Sequence, residues 1–231
     1  FLIDNHITFT ALQNNSTVGL NLLSAKQQLW YSNDRGETWN TFNTGSTLNL
    51  NSGDTIFVKG ILSGNNQGTN PETGNSDLTQ FKIINGNVSV SGNLNSLWNY
   101  NNLNQNLYEY CGYCLFSDCT GLTDASQLTL GTSATTLATS CYSNMFSECT
   151  SLTTAPELPA TALTTHCYSY MFSRTSTNYI KCMAINGINQ NESTEGWVDS
   201  VAGSGTFVKH PNASWPTGTN GIPNGWTVQD V

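Results

Sequence analysis

The chain has 231 residues, enough for one large domain or two smaller ones with a real core. Only 10% of it is charged, and its net charge of -8 with seven Lys plus Arg lacks the clustered cations that nucleic acid or an anionic membrane surface requires. No stretch approaches about 18 consecutive apolar residues, so no membrane insertion is expected, and a surface rich in Asn, Thr, Ser and Gly is in the style of extracellular, cell-surface or virion proteins.

Residues 1–95 read as all-β. Segments 7–11 and 17–22 alternate apolar and polar residues, and 29–31, 39–42, 54–59 and 81–84 follow with Asn, Gly and Ser turns between them. Short strands at this spacing predict a sandwich-like domain. Segment 63–77 has almost no apolar residue and reads as a long exposed loop, with Asn65, Asn66, Gln67 and Asn70 as possible amide contacts to a ligand. Ser32, Asp34, Gly36, Thr38 and Trp39 fit the Asp-box pattern of sialidases and other carbohydrate-active proteins. Asp34 is expected to accept turn N–H bonds, Gly36 to permit positive φ and Trp39 to bury the base of the hairpin. One such box cannot build a sialidase propeller, so its predicted role is structural.

Residues 96–182 hold a repeat. Met145-Phe146-Ser147-Glu148-Cys149-Thr150 echoes Leu115-Phe116-Ser117-Asp118-Cys119-Thr120, and Met171-Phe172-Ser173-Arg174 opens a third copy. A fixed period of 20–50 residues predicts stacked units sharing one core. In the second copy the apolar set Leu137, Ala138, Cys141, Tyr142, Met145, Phe146 and Cys149 suggests one face of an amphipathic helix. Leu115, Phe116, Cys141, Met145, Phe146, Cys167, Met171 and Phe172 are therefore assigned to the repeat core. Short extended pieces at 122–125, 152–155 and 179–182 complete a strand–turn–helix unit, with an insertion at 129–134 placed in a loop. Beyond Ala184 the repeat decays into a Gly-, Pro- and Trp-containing tail, which reads as a C-terminal cap over 183–231.

Seven cysteines cannot all pair within the chain, and five fall at recurring positions, which favours buried free thiols. Cys119 and Cys149 are close enough in a strand ladder for a bond to be possible, but parallel side chains in such a ladder do not face each other. The two-residue gap between Cys111 and Cys114 suits zinc only with a second ligand pair, and none is evident, so no metal and no cofactor are expected.

The string Cys-Tyr-Ser-Asn-Met-Phe-Ser-Glu-Cys-Thr-Ser-Leu-Thr-Thr-Ala-Pro-Glu-Leu-Pro-Ala-Thr at 141–161 resembles the BspA-type leucine-rich repeats of gut Bacteroidetes surface proteins and related phage tail proteins. The tail at 205–209 and 221–228 is similar to the ending of many such proteins, and the segments at 7–11 and 30–39 look like the β module that often precedes the repeats. The third copy departs from the pattern, with Thr175 where Cys149 stands. The resemblance implies adhesion or recognition and brings no catalytic motif.

The expected fold is therefore α+β: a β-sandwich-like domain (1–95), a short leucine-rich-repeat solenoid of about three copies (96–182) and a cap (183–231). The expected function is non-enzymatic recognition of a cell-surface polysaccharide or protein, as a bacterial surface adhesin or a phage host-binding tail protein, trimeric if a tail fibre. The alternative is a carbohydrate-binding accessory module of a larger hydrolase. Tyr113, Tyr170, Tyr179, Trp197 and Trp215 are the ligand-binding candidates, because flat aromatic faces suit sugar rings and protein partners. A glycosidase needs two carboxylates across a cleft, and Glu148 and Glu157 qualify by residue type alone. His166 precedes Cys167 without forming a nucleophile pair, and His6 and His210 have no obvious partners.

Overall fold

The computed structural model describes residues 5–62, 78–131 and 136–231. The loop at 63–77 and residues 132–134 of the 129–134 insertion fall outside the described residues. Among the described residues twelve strands occur in chain order. They are β1 (Ile7–Ala11), β2 (Ser16–Leu22), β3 (Gln27–Ser32), β4 (Asn40–Thr41), β5 (Thr47–Leu50), β6 (Thr55–Leu62), β7 (Gln80–Lys82), β8 (Val88–Asn93), β9 (Leu122–Thr129), β10 (Tyr179–Cys182), β11 (Thr206–Lys209) and β12 (Thr227–Asp230). A single turn of helix, α1 (Ser96–Asn99), follows β8.

The N-terminal part is a sandwich, as the alternation predicts. Ile7, Phe9 and Ala11 of β1 are buried while Thr8 and Thr10 are not, the two-residue period of a strand with one wet face. One sheet has the order β4-β3-β6-β1-β8-β9 and the other β5-β2-β7. Phe9 of the first meets Phe81 of the second edge to face, 5.0 Å between centroids. All pairings in the two sheets are antiparallel except β8 with β9. That parallel pair carries the sheet from the sandwich into the repeats.

The α+β expectation is corrected here. About 2% of the chain is helix and 32% strand, one sheet is mixed, one antiparallel and one parallel, and among the described residues no helix-bearing leucine-rich-repeat solenoid forms. The segments read as amphipathic helices are runs of consecutive β-turns. In the second copy the N–H groups of Cys141, Ser143, Met145, Ser147 and Cys149 each donate to the carbonyl three residues back. Between them, the N–H groups of Ser140, Tyr142, Asn144, Phe146 and Glu148 donate to Thr165, Cys167, Ser169, Met171 and Ser173 in the third copy. Every fourth residue is left-handed: Ser140 (φ 55), Asn144 (φ 56) and Glu148 (φ 63), with equivalents Tyr110, Cys114 and Asp118 before and His166, Tyr170 and Arg174 after. A left-handed residue at that spacing cannot continue an α-helix. Half the amides close turns and the other half bond the next layer, so the backbone donors are satisfied without one.

The apolar positions explain the difference. Leu137, Cys141, Met145 and Cys149 are four apart, as are Leu107, Cys111, Leu115 and Cys119. A helix turns 3.6 residues at a time, so a strict four-residue spacing drifts around it by about 40° per step. In the turn ribbon it stays on one side. All eight residues assigned to the repeat core are fully buried there. The ladder continues into a fourth layer that has no recognisable copy of the motif: His166, Tyr168, Tyr170, Phe172 and Arg174 donate to Asn191, Ser193, Glu195, Trp197 and Asp199. Beyond it, β10, β11 and β12 form a parallel sheet.

Packing follows the layers. Phe81, Phe116, Phe146 and Phe172 stack with centroids 5.4, 5.4 and 5.7 Å apart and planes within 14°. Tyr142 and Tyr168 form a second column that continues to Trp197, which in turn stacks on Trp215 at 5.1 Å. One hydrophobic core therefore runs from the sandwich through the turn layers to the C-terminal sheet. All seven cysteines are free.

Candidate functional site

Because each layer repeats the same turn ribbon, residues at equivalent left-handed positions stand in columns on one edge of the stack. One column holds Tyr110, Ser140, His166 and Glu192; the next Cys114, Asn144, Tyr170 and Gly196; the third Asp118, Glu148, Arg174 and Ser200. A left-handed residue costs an L-amino acid roughly 1–2 kcal/mol, so these side chains are fixed by their layers rather than by local preference.

Three contacts between layers three and four, or two and three, organise this edge. His166 Nε2 contacts Glu192 Oε2 directly across the layers. Arg174 Nη1 donates to Glu148 Oε1 at 2.6 Å. Between these rungs the Tyr170 ring lies over Gly196, where an added Cβ would sit 2.5 Å from Cε1 and 2.8 Å from Cδ1. Gly196 is itself left-handed (φ 54), so glycine serves both the backbone and the ring above it. The negative charge of Glu195 raises the Tyr170 phenol above its usual range, reinforced by partial burial, by the hydrogen bond to Glu195 and by Asp199 and Glu192. The ring stays 39% exposed. The result is an exposed aromatic face with carboxylates and an imidazole on one flank and an arginine–glutamate pair on the other.

The other aromatic candidates fall in different places. Tyr179, on β10, is equally exposed. Tyr113 is half-buried, 5.9 Å edge-on from Tyr110, and lines a small cavity with Gln27, Thr79 and Trp98 between sandwich and first layer. Trp197 has no exposed surface and donates Nε1 to the Gly221 carbonyl at 2.8 Å, so it belongs to the core. Trp215 packs on Trp197 with its Nε1 buried and unpartnered. The sequence puts five aromatics forward; the fold places Tyr170 beside an imidazole, carboxylates and an arginine on the exposed edge. Glu192, Glu195 and Gly196 escape sequence reading because the fourth copy lacks the motif, although the 26-residue spacing from His166 to Glu192 and from Tyr170 to Gly196 was there to be found.

The remaining titratable candidates are tied up. Glu157 Oε1 accepts from Lys181 Nζ at 2.9 Å. His6 stacks on Phe57 at 4.0 Å, and His210 Nδ1 accepts from the Asn212 amide. In the Asp-box turn, Asp34 accepts from the Ser32 hydroxyl (2.6 Å), the Thr38 hydroxyl and the Thr38 amide (2.9 Å), which lower it to about 2. Gly36 is left-handed (φ 90), and its carbonyl accepts from Trp39 Nε1 at 3.2 Å. These bonds hold the turn and leave Asp34 no free role. No protein-family model matches the chain, and no curated protein and no solved structure is significantly similar to it.

Proposed function

We propose that this chain is a non-enzymatic recognition module that acts outside the cell, on a cell surface or virion, and binds a cell-surface glycan through the Tyr170 edge. The observation that carries the reading is the exposed Tyr170 ring, packed against Gly196 on a backbone ladder and flanked by Glu192, Glu195, His166, Arg174 and Glu148. A sugar ring stacks its C–H face on such a platform while its hydroxyls donate to the flanking carboxylates and accept from the arginine. The platform is preformed, so little ordering cost accompanies binding. The resemblance of residues 141–161 to repeats of bacterial surface and phage tail proteins supports the same reading. The two acids that a hydrolase reading would use, Glu148 and Glu157, are each ion-paired, which favours binding over bond cleavage.

The test is binding of labelled protein to purified bacterial capsular polysaccharides, mucin glycans and intact cells. Binding to a restricted set is expected, and Tyr170→Ala is expected to weaken it about tenfold, equal to about 1.4 kcal/mol. Wild-type affinity in Tyr170→Ala, or no glycan bound by the parent protein, would reject the site.

A further inference from the structure

Beside the aromatic platform, three side chains of different chemistry converge. One nitrogen of His166 and one oxygen each of Glu192 and Glu195 lie within 4.8 Å of one another. They come from adjacent layers, and the ladder fixes both: the His166 amide donates to the Asn191 carbonyl at 3.2 Å, and the Tyr170 amide to the Glu195 carbonyl at 2.8 Å. Among the described residues no lysine or arginine pairs with either glutamate; Arg174 is engaged by Glu148, Lys181 by Glu157 and Lys209 by Asp230. Glu192 contacts the imidazole directly, and Glu195, which accepts from the Tyr170 hydroxyl, lies beside them. His166 and Glu195 are partly buried and Glu192 is exposed, so the cluster is open to solvent from one side.

We propose that His166, Glu192 and Glu195 bind one divalent transition-metal cation of the zinc class. One imidazole and two carboxylates are a ligand set that zinc accepts with three protein donors and an open fourth position. Calcium and magnesium prefer sites made wholly of oxygen with more donors, so they bind this set more weakly. The cation joins layer three to layer four and presents its open position to water or to an oxygen of a bound molecule. The cysteines do not provide this site, since burial in the core pushes Cys141 well above the usual thiol range and Cys167 up to about 11.

The experiment titrates the metal-free, full chain with zinc alone and with calcium alone by calorimetry, and with cobalt(II) by absorption. One equivalent of zinc is expected to bind more tightly than calcium, and cobalt is expected to give a spectrum without a thiolate charge-transfer band. Glu192→Gln, Glu195→Gln and His166→Asn, the last chosen because asparagine tolerates the left-handed backbone, are each expected to lower zinc affinity at least ~10-fold with an unchanged circular dichroism spectrum. Glu157→Gln is expected to bind zinc like the parent. Zinc binding weaker than about 1 mM, a cobalt–thiolate band, or affinity unchanged in all three ligand variants would overturn the proposal. Zinc is the only probe, so a failure of glycan binding would leave this result standing, and the reverse.

Discussion

At the scale of single residues, the polar chemistry of this chain is largely spent on its own backbone. Cys149 Sγ donates to the Phe116 carbonyl at 2.9 Å and Cys119 Sγ to the Phe81 carbonyl at 3.4 Å, each reaching into the neighbouring layer. Burial pushes Cys111, Cys119 and Cys182 up to about 12, so these thiols act as small apolar groups with a weak donor. Asp34 makes the opposite case. Its three donors favour the carboxylate and lower it to about 2 from an ordinary 3.8. A depressed carboxylate contributes stability that is complete above its unfolded value and is lost as pH falls through its folded one. Asp34→Asn should therefore be less stable than the parent at pH 5 and approach it at pH 2, as read from denaturant midpoints across that range. A gap of constant size would show that the charge of Asp34 does not contribute.

At the scale of elements, the turn ribbon makes backbone handedness the main determinant of side-chain tolerance. Asn144 is left-handed (φ 56) and only partly buried. Asn144→Val is expected to cost about 1–2 kcal/mol, because a β-branched side chain clashes there, whereas Asn144→Gly is expected to be neutral or slightly stabilising. Thermal or urea unfolding of both variants measures the difference, and equal stabilities would contradict the assigned handedness. This same ribbon marks the limit of what the sequence reveals. Alternation in 7–11 gives away β1, and the thrice-written Phe-Ser gives away the layers, because both signals are direct prints of burial. The choice between helix and turn ribbon rests on whether apolar residues recur every 3.6 or every 4 positions, and across one twelve-residue segment the two patterns share most of their members. The left-handed residues that decide the matter include Ser140, Glu148, Tyr170 and Arg174, types with no special preference for that conformation. The interlayer hydrogen bonds impose it, and they are invisible until the layers meet. The same holds for the candidate site: Tyr170 is legible as an aromatic, whereas the glycine beneath it and the acids beside it belong to a layer whose core position is held by Trp197 in place of methionine.

At the scale of the whole molecule, the continuous core joins regions that composition separates. Sequence reading draws borders near 95 and 182, yet Phe9, Phe81, Phe116 and Phe146 form one line of rings across the first of them. Met145 lies fully buried in the middle layers. An uncompensated charge placed there by Met145→Asp is expected to cost about 4 kcal/mol, comparable to the net stability of a domain. The sandwich and the layers are expected to lose structure in one transition, read from circular dichroism and tryptophan fluorescence together. A sandwich that melts separately, at its parent temperature, would show that the border near 95 divides two independent folding units.

The interlayer hydrogen bonds have one further property. Donors in every layer reach forward to carbonyls of the layer that follows: Tyr110 to Thr139, Ser140 to Thr165, His166 to Asn191. Within the turn ribbon no backbone bond among the described residues runs back, whereas on the strand side bonds run both ways, the Leu158 amide to Lys181 and the Met183 amide to Leu158. The peptide dipoles of the ribbon therefore add along the stack as they do along a helix. The array is an electrically polar object with unlike ends. Its first layer offers carbonyls, which the Phe81 amide and the Gln80 side chain meet at Leu115 and Ser117. Its last layer offers amides, which Asn220 Oδ1 meets at Gly196 and the Thr219 carbonyl meets at Val198. The two terminators are not interchangeable. Any second array that extended this one would have to join head to tail, with its carbonyl end against the amide end of the first.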